Sequence, residues 1–455
     1  MKKKVLPIVI GLLVLVALTA CNKYLEEKSN KSLVTPSSVE ELQGLLDDVV
    51  TMNTTTPGFM ESFSDDFFLM PSTYNALASL ELELYSYKPI PYQYTNDWAK
   101  SYLVVYNTNM CLERLENVKL SSSNSQSWRN VKGSALFFRS FYYLDLAWQH
   151  AKVYNSSTSA TDLGIVLRSS SDFNVKSVRA TVQETYDVII ADTKIAASLL
   201  PDHPQHVMRP SKAAAYGLLA RAYLSMSKPD SAFKYADLAL GIKNSLMDYN
   251  GDADLNGTVN STVPFKKFNK EIIFYTEMYT SFSLHLPFRA KIDTTLITTY
   301  TADDLRSAAF YKNNSGYAQF KGSYTANSNT LFSGIAVDEL LLIRAECHAR
   351  LGRAQEAMTD LNTLLKKRWK KSVTYPALTA KNNNEALAII LAERRKELIM
   401  RGLRWIDIKR LNKEGRNITP TRLVNGKIFT IAPNDNLYAL PLPEDIIRLT
   451  GIPQN

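Results

Sequence analysis

Apolar residues recur every three or four positions along most of this chain, which is the spacing of amphipathic helices. In the stretch from Trp128 to Trp148, one helix face is predicted to carry Val131, Ala135, Phe138, Tyr142 and Leu146. Capping boxes at residues 38–41 (Ser to Glu) and 181–184 (Thr to Glu) mark the starts of two further helices. The pattern therefore predicts an all-α fold.

Two segments have the pattern of tetratricopeptide helix pairs. Ala220 is followed by Ala232 in the first and Ala345 by Ala357 in the second, so the offset is twelve residues in both. An alanine at a helix crossing lets two antiparallel helices approach closely. Two segments with the same offset predict stacked helix pairs, with turns at residues 227–230 and at Gly352.

The stretch from about 244 to 330 is rich in Asn, Thr, Ser and Tyr, lacks helical spacing and contains one predicted strand at 271–276. It predicts an irregular, loop-rich lobe with a few short strands. Because no linker-like segment interrupts the chain, we expect a single domain over 21–455. Within it, tetratricopeptide-like pairs lie near 128–240 and 336–410, and the variable lobe lies near 244–330. Loops on a rigid scaffold often carry binding sites.

The first twenty residues have the three-part plan of a secretory signal. Three lysines at positions 2–4 precede an apolar stretch from Val5 to Ala17, and small residues stand just before Cys21. This pattern indicates a lipoprotein signal peptide over 1–20, with Cys21 as the lipidated residue. An uncleaved anchor is the alternative, although a spanning helix needs roughly 20 apolar residues. Acyl chains on Cys21 would hold the protein on one membrane leaflet.

The formal charge of +9 falls to +6 when the three lysines of the signal are removed. Acids and bases alternate along the rest, which excludes the concentrated basic surface typical of nucleic-acid binding. The dense basic run at 366–371 is predicted to be a solvated helix end. Cys111 and Cys347 are predicted to be buried free thiols, with a disulfide open as the alternative in an exported protein.

Several segments, in the same order, resemble the SusD/RagB family over nearly the whole mature chain. They are GSALFFRSFYYLDLAW at 133–148, RATVQETYDVIIADTKIAASLLP at 179–201, RPSKAAAYGLLARAYLSM at 209–226, ERRKELIMRGLRWIDIKR at 393–410, and LYALPLPEDI at 437–446 with the ending GIPQN.

The resemblance implies a surface-exposed lipoprotein of the cell outer membrane, anchored by its lipid. It further implies a SusC-like TonB-dependent transporter as partner, and capture of a glycan or, in some members, an oligopeptide. It implies no enzyme activity, no cofactor and no nucleic-acid partner. Two other classes stay open from the residues: a lipid-anchored tetratricopeptide-like interaction scaffold, and a surface hydrolase.

Tyrosines and phenylalanines are the predicted ligand-binding residues, because the five tryptophans lie in or beside helical stretches, where core packing is expected. Pro89 and Pro91 stiffen a tyrosine-rich loop, and we expect them to hold its rings outward, where rings stack on sugars or peptide side chains. Packing of these rings onto the scaffold is the alternative. The candidates are Tyr74, Tyr85, Tyr87, Tyr92, Tyr94, Tyr279, Phe282 and Phe288.

Two acidic segments suggest a cation. Asp252, Asp254 and Asn256 follow the spacing of a calcium loop, but Val263 stands at the twelfth position, where a bidentate Glu is needed. An ordinary polar turn is therefore favoured, and we expect no metal. Asp65 and Asp66 could bind Ca²⁺ or sugar hydroxyls, and we favour capping of the next helix.

A charged C-terminal segment invites a comparison with paired catalytic carboxylates. It contains Glu393, Arg394, Arg395, Glu397, Arg401, Arg404 and Asp407. The spacing of Glu397 with Arg401, and of Arg404 with Asp407, is that of intrahelical ion pairs. We therefore predict a structural charge network and no catalytic residue, with the helix interrupted at Gly402.

Overall fold

The structure is a computed structural model, and it describes residues 36–455. The predicted signal peptide and Cys21 lie outside the described residues. The α-helices, in chain order, are α1 Val39–Leu46, α2 Val49–Met52, α3 Pro71–Asn75, α4 Ser79–Tyr85, α5 Asp97–Leu115, α6 Ser125–His150, α7 Val182–Leu199, α8 Lys212–Ser225, α9 Pro229–Ile242, α10 Thr294–Ile297, α11 Leu305–Phe310, α12 Val337–Arg350, α13 Ala354–Lys366, α14 Asn383–Glu397, α15 Arg404–Lys413 and α16 Glu444–Thr450.

The strands are short and pair only in twos within the described residues. They are β1 Thr56–Pro57, β2 Phe67–Leu69, β3 Leu163–Val166, β4 Arg179–Thr181, β5 Ile272–Phe274, β6 Met278–Tyr279, β7 Ala290–Ile292, β8 Tyr311–Asn314, β9 Tyr317–Phe320, β10 Ile335–Ala336, β11 Thr421–Val424 and β12 Lys427–Thr430. β1 pairs with β6 in parallel, and β2–β7, β3–β4, β5–β10, β8–β9 and β11–β12 are antiparallel. The prediction of a mainly helical fold with an irregular, strand-bearing lobe is confirmed.

Both predicted helix pairs are present, as α8 with α9 and α12 with α13. Ala220, Ala232, Ala345 and Ala357 are all fully buried, as expected of small residues at helix crossings. Gly352 has a φ of +84° in the α12–α13 turn, a conformation that glycine adopts without a steric penalty. The capping boxes at Ser38 and Thr181 are formed as predicted. The division of 21–455 into one domain with these parts stays a prediction.

Aromatic side chains join the lobe to the scaffold. Phe274 on β5 contacts Phe137, Phe138 and Phe141 of α6, with ring centroids 4.7, 5.6 and 5.3 Å apart. Offset and edge-on ring contacts of this kind add to the free energy of burial. The buried apolar side chains between Val39 and Ile452 form one cluster, so the lobe shares the core of the helices.

The two remaining cysteines and three of the tryptophans lie in this core. Cys111 and Cys347 are free, buried thiols, which confirms that prediction over the disulfide. Trp98, Trp148 and Trp405 are buried, and Trp128 packs against the cluster while half-buried. Within residues 36–455 no helix has the length and apolar character that crossing a membrane requires.

The charged C-terminal segment is a structural network, but its pairs are not those predicted from spacing. Glu397 accepts hydrogen bonds from Arg368 at 2.8 Å and from Arg306 at 3.2 Å. Arg401 instead pairs with Asp338 at 3.2 Å. The reason is that α14 ends at Glu397, so Arg401 stands beyond the helix and the i, i+4 geometry is never made.

The predicted pair of Arg404 with Asp407 is also not formed, and the loop acids Asp65 and Asp66 have other partners than predicted. Arg404 binds Asp65 with two hydrogen bonds of 2.6 and 2.8 Å, and Asp407 pairs with Arg394. Asp66 accepts from Arg395 at 2.9 Å. The prediction that Asp65 and Asp66 cap the next helix is wrong, because α3 starts only at residue 71 and arginines of the C-terminal helices engage both carboxylates.

The basic run at 366–371 is a solvated helix end with one exception. Arg368 is fully buried, contrary to the prediction, and its guanidinium donates to Glu271 at 2.9 Å as well as to Glu397. Burial raises the pKa of Glu271, and the attraction of Arg368 opposes this shift. A buried pair of this kind is costly to break, because removing one partner leaves an uncompensated charge. Arg368 thereby fastens the lobe to α14.

Candidate functional site

The site is built where α5 begins, beside the short parallel pair β1–β6. Asn96 is the N-cap of α5, and its side-chain oxygen accepts from the backbone N–H of Ala99 at 2.9 Å. Asn is among the residues preferred there because it satisfies an N–H that the helix cannot. Tyr94 stands two residues before this cap, and its own backbone N–H donates to Asp445 of α16 at 3.1 Å. The backbone at Tyr94 is therefore held by Asp445 on one side and by the helix cap at Asn96 on the other.

Three of the predicted residues come together here: Tyr94, Tyr279 and Phe282, which we call the aromatic surface. Tyr94 is 75% exposed, whereas Tyr279 and Phe282 are half-buried. Burial raises the phenol pKa of Tyr279, and the nearby negative charge of Asp97 adds to the effect. The ring of Phe282 packs on Phe59, with centroids 5.6 Å apart. Phe282 is thus supported from beneath by Phe59, and all three rings are at least partly accessible from outside.

A buried carboxylate holds the two halves of this surface together. Asp97, fully buried, accepts from the backbone N–H groups of Gly58 and Phe59 at 2.8 and 2.5 Å and from the hydroxyl of Ser281. Burial raises the pKa of Asp97 to about 6, against the lowering effect of these donors. Because Ser281 lies between Tyr279 and Phe282, Asp97 fixes their segment against α5.

Lys100 places a positive charge next to the aromatic surface. Its ammonium lies 5.6 Å from the ring centroid of Tyr279, within the range of a cation–π contact. The surface can therefore offer flat apolar ring faces, phenol hydroxyls and a cation side by side. This combination suits a ligand with apolar faces and hydroxyl or carbonyl groups at its edges.

Tyr85, Tyr87 and Tyr92 face the core, so the expectation that the stiffened loop holds these rings outward is wrong for all three. Tyr92 stacks on Phe59 with centroids 4.6 Å apart. The guanidinium of Arg422, from β11, lies 4.4 Å from the ring centroids of both Tyr85 and Tyr87. Tyr92 supports Phe282 through Phe59, and the rings of Tyr85, Tyr87 and Tyr92 are buried.

The remaining two candidates are Phe288 in the lobe and Tyr74 on α3. Phe288 is 55% exposed, and the guanidinium of Arg289 lies 5.7 Å from its ring. Arg289 donates to Glu81 of α4 at 2.7 Å. Tyr74 is half-buried and contacts Tyr85, with centroids 5.5 Å apart. The role of Tyr74 and Phe288 in ligand binding stays a prediction.

The calcium-like segment forms a self-contained turn. Asp252 accepts from the backbone N–H of Asp254 at 3.0 Å and pairs with Lys270 at 2.7 Å. Asp254 accepts from the backbone N–H of Lys270 at 2.7 Å, and Asn256 donates to backbone carbonyls nearby. Across residues 36–455, no cluster of three or more His, Cys, Asp or Glu side chains could hold a metal ion.

Sequence reasoning missed Asp97, Lys100, Ser281 and the supporting Arg422. Asp97 and Lys100 follow the helix cap at Asn96. A capping residue two positions after Tyr94 could therefore have indicated that side chains of the first helical turn lie close to this tyrosine. Ser281 and Arg422 carried no local signal, because they reach the site from distant parts of the chain.

Comparison with known proteins gives the same assignment over both halves of the chain. A SusD-like family model described as starch-binding associating with outer membrane matches residues 23–224, and the SusD/RagB family model matches residues 258–444. The SusD-like protein P2 of Formosa agariphila is 24% identical, with 79% of each chain covered.

Solved structures share the fold. A SusD superfamily protein from Bacteroides vulgatus has a TM-score of 0.74 at 19% identity, covering 92% of this chain and 99% of its own. A SusD-like carbohydrate binding protein from the same species has a TM-score of 0.66 at 18% identity, with 91% and 97% covered. The helix pairs, the small paired strands and the two matched family models together show that this chain belongs to the SusD/RagB family.

Proposed function

We propose that this protein is a cell-surface glycan-binding lipoprotein that captures an oligosaccharide and delivers it to a SusC-like TonB-dependent transporter of the outer membrane. The observation that carries the proposal is the aromatic surface, because three accessible rings stand on a rigid scaffold beside hydroxyl groups and a cation. Exposed rings supply stacking area at low cost in side-chain entropy, and pre-ordered sites lose less free energy on binding.

Family membership supports the glycan as ligand and the membrane as location. One matched model carries starch binding and outer-membrane association in its description, and one structural neighbour is described as carbohydrate binding. A lipid on Cys21 would place the chain at the membrane. We propose a role without catalysis: the charged C-terminal residues that resembled an acid–base pair, such as Glu397, are buried in ion pairs.

The second candidate within the family is capture of an oligopeptide. Tyrosines rather than tryptophans form the aromatic surface, and phenol hydroxyls can bond peptide amides as well as sugar hydroxyls. The cation of Lys100 would suit a peptide carboxylate. The two ligand classes therefore have to be compared directly.

The test is calorimetric titration of residues 22–455 with matched panels of neutral oligosaccharides and oligopeptides. We expect saturable binding to an oligosaccharide, weakened about tenfold by Tyr94→Ala or Tyr279→Ala, because each change removes one stacking face. Phe173→Ala is the matched control, since Phe173 is 78% exposed and lies on a different loop. Binding of peptides alone would identify an oligopeptide as the ligand in place of a glycan. Equal binding by all variants would exclude the aromatic surface as the binding site.

A further inference from the structure

A second concave surface lies apart from the aromatic surface. It is an open groove of about 560 Å³ between one face of α1, the first turns of α6 and the proline-rich segment 201–210. None of these three elements contributes a ring to the aromatic surface. The groove has a volume within the range of small-ligand sites in proteins.

A chain of hydrogen bonds runs along the groove and joins its three walls. Asn130 on α6 donates to Gln43 on α1 at 2.8 Å, and Gln43 donates to Asp47 at 3.0 Å. Arg209 then binds Asp47 through two hydrogen bonds, of 2.8 and 2.5 Å, and donates to Gln205 at 2.5 Å. These side chains are fixed before any ligand arrives, which lowers the entropy lost on binding.

The hydrogen-bonded pair of Arg209 and Asp47 in the groove has no net charge. The charge of Arg209 is matched by Asp47, and both side chains are about 30% exposed, at 30% and 32%. An exposed pair of this kind contributes little to stability, so stability alone does not account for its precise bidentate geometry. With this pair matched and Glu40 as a further acid in the lining, the groove disfavours a strongly anionic ligand and suits a neutral polar one.

The lining chemistry narrows the ligand further. Gln43, Gln126 and Asn130 line the groove, and a side-chain amide both donates and accepts, as a sugar hydroxyl does. Pro201 and Pro204 line it as well, are half-buried, and offer apolar contact to the C–H faces of a sugar ring. We propose that the groove is a second saccharide-binding site, for a neutral stretch of glycan, and this proposal rests on the proposed glycan-binding function.

Gly44 adds an independent indication and a means of testing the site. It lies within α1 and lines the groove, and a Cβ built there would meet nothing within 4 Å. Glycine inside a helix is less favourable than alanine by about 1 kcal/mol. No neighbouring atom requires a glycine at this position. The missing side chain therefore has the effect of leaving the groove open. Gly44→Leu would obstruct the groove while favouring the helix.

The experiment combines this change with the loss of the aromatic surface. Four proteins spanning residues 22–455 are compared: wild type, Tyr94→Ala/Tyr279→Ala, and each of these with Gly44→Leu. Each protein is applied to an array of neutral oligosaccharides and neutral peptides, and is then titrated calorimetrically with the compounds that are retained. Gly241→Leu is the matched control, since Gly241 is also exposed, helical and free of neighbours within 4 Å. Gln43→Met removes the polar atoms at nearly constant shape and serves as a second variant.

We expect the protein without its aromatic surface to retain some oligosaccharides, and Gly44→Leu and Gln43→Met to lower their association constants at least about tenfold. Gly241→Leu should leave them unchanged. Binding that disappears with the aromatic surface, or that Gly44→Leu leaves intact, overturns the second site and leaves the proposed function standing. Wild type that retains no oligosaccharide overturns both proposals. Retention of neutral peptides alone, blocked by Gly44→Leu, overturns the saccharide assignment.

Discussion

Two halves of one tyrosine-rich segment have opposite environments. Up to Tyr92, the rings are buried against Phe59, Arg422 and the core, whereas Tyr94, two residues later, is exposed and joined by Tyr279 and Phe282. Residue type and local spacing are the same in both halves. The difference comes from what the rest of the fold brings to each ring, and it divides the segment into a support and a contact surface.

The buried rings are expected to determine the stability of the fold, and the exposed rings are expected to determine ligand binding. A buried ring contributes through the area it removes from water and through its close packing, so replacing it leaves a cavity. An exposed ring contributes little to folding, and its apolar face is free to meet a ligand. Variants in the two halves should therefore change different measurements.

The largest effect is expected for Tyr92→Ala. Tyr92 is 3% exposed, and its hydroxyl lies 3.3 Å from His150. Loss of a buried aromatic side chain should lower the free energy of unfolding by about 3–5 kcal/mol, measured by urea denaturation. Tyr94→Ala, at 75% exposure, should change it by no more than about 0.5 kcal/mol. Equal losses in the two variants would contradict the division between support and surface.

Sequence reasoning reached the fold because its signals are local. Capping boxes at Ser38 and Thr181 and the alanine spacing of the helix pairs need only a few neighbouring residues to act. The same locality explains why an interruption at Gly402 was foreseen, although α14 already ends at Glu397, while the partners of Arg401 and Arg404 were not. Those partners come from elements far away in the sequence.

The candidate site was less predictable for the same reason. Nothing local distinguishes Tyr92 from Tyr94, and Arg422, whose guanidinium contacts Tyr85 and Tyr87, lies more than three hundred residues along the chain. Arg368 and Lys371 likewise share one basic run, yet the first is buried between carboxylates and the second is solvated. Burial of single residues depends on tertiary contacts that periodicity does not encode.

An intermediate effect is expected from two buried histidines, His285, whose ring contacts Phe67, and His150, whose ring contacts Trp98. Burial lowers the pKa of His285 to about 3, with the positive charge of Arg422 adding to the effect, and burial lowers that of His150 to about 3. Between the unfolded pKa near 6.5 and the folded value, the unfolded chain binds a proton that the native chain does not. Stability is therefore lost as the pH falls through that window.

The measurement compares wild type with His285→Asn by urea denaturation at pH 7 and pH 5. One histidine with this shift should cost about 2 kcal/mol at pH 5, so the variant should lose that much less stability than wild type on acidification. The difference between the two proteins is the quantity to use, because acids with raised pKa values, such as Asp97, change stability in the opposite direction. Identical pH dependence in both would show that His285 is not held neutral.

The smallest effect is expected at Asn96, which joins the support to the contact surface. Asn96→Ala removes the N-cap of α5 and should lower the free energy of unfolding by about 1 kcal/mol, whereas Asn96→Ser keeps a capping oxygen and should retain nearly all of it. Because the cap also fixes the backbone that carries Tyr94, Asn96→Ala should weaken oligosaccharide binding in calorimetry, and Asn96→Ser should restore it. A variant that loses stability without losing affinity would show that the position of the Tyr94 ring does not depend on the helix cap.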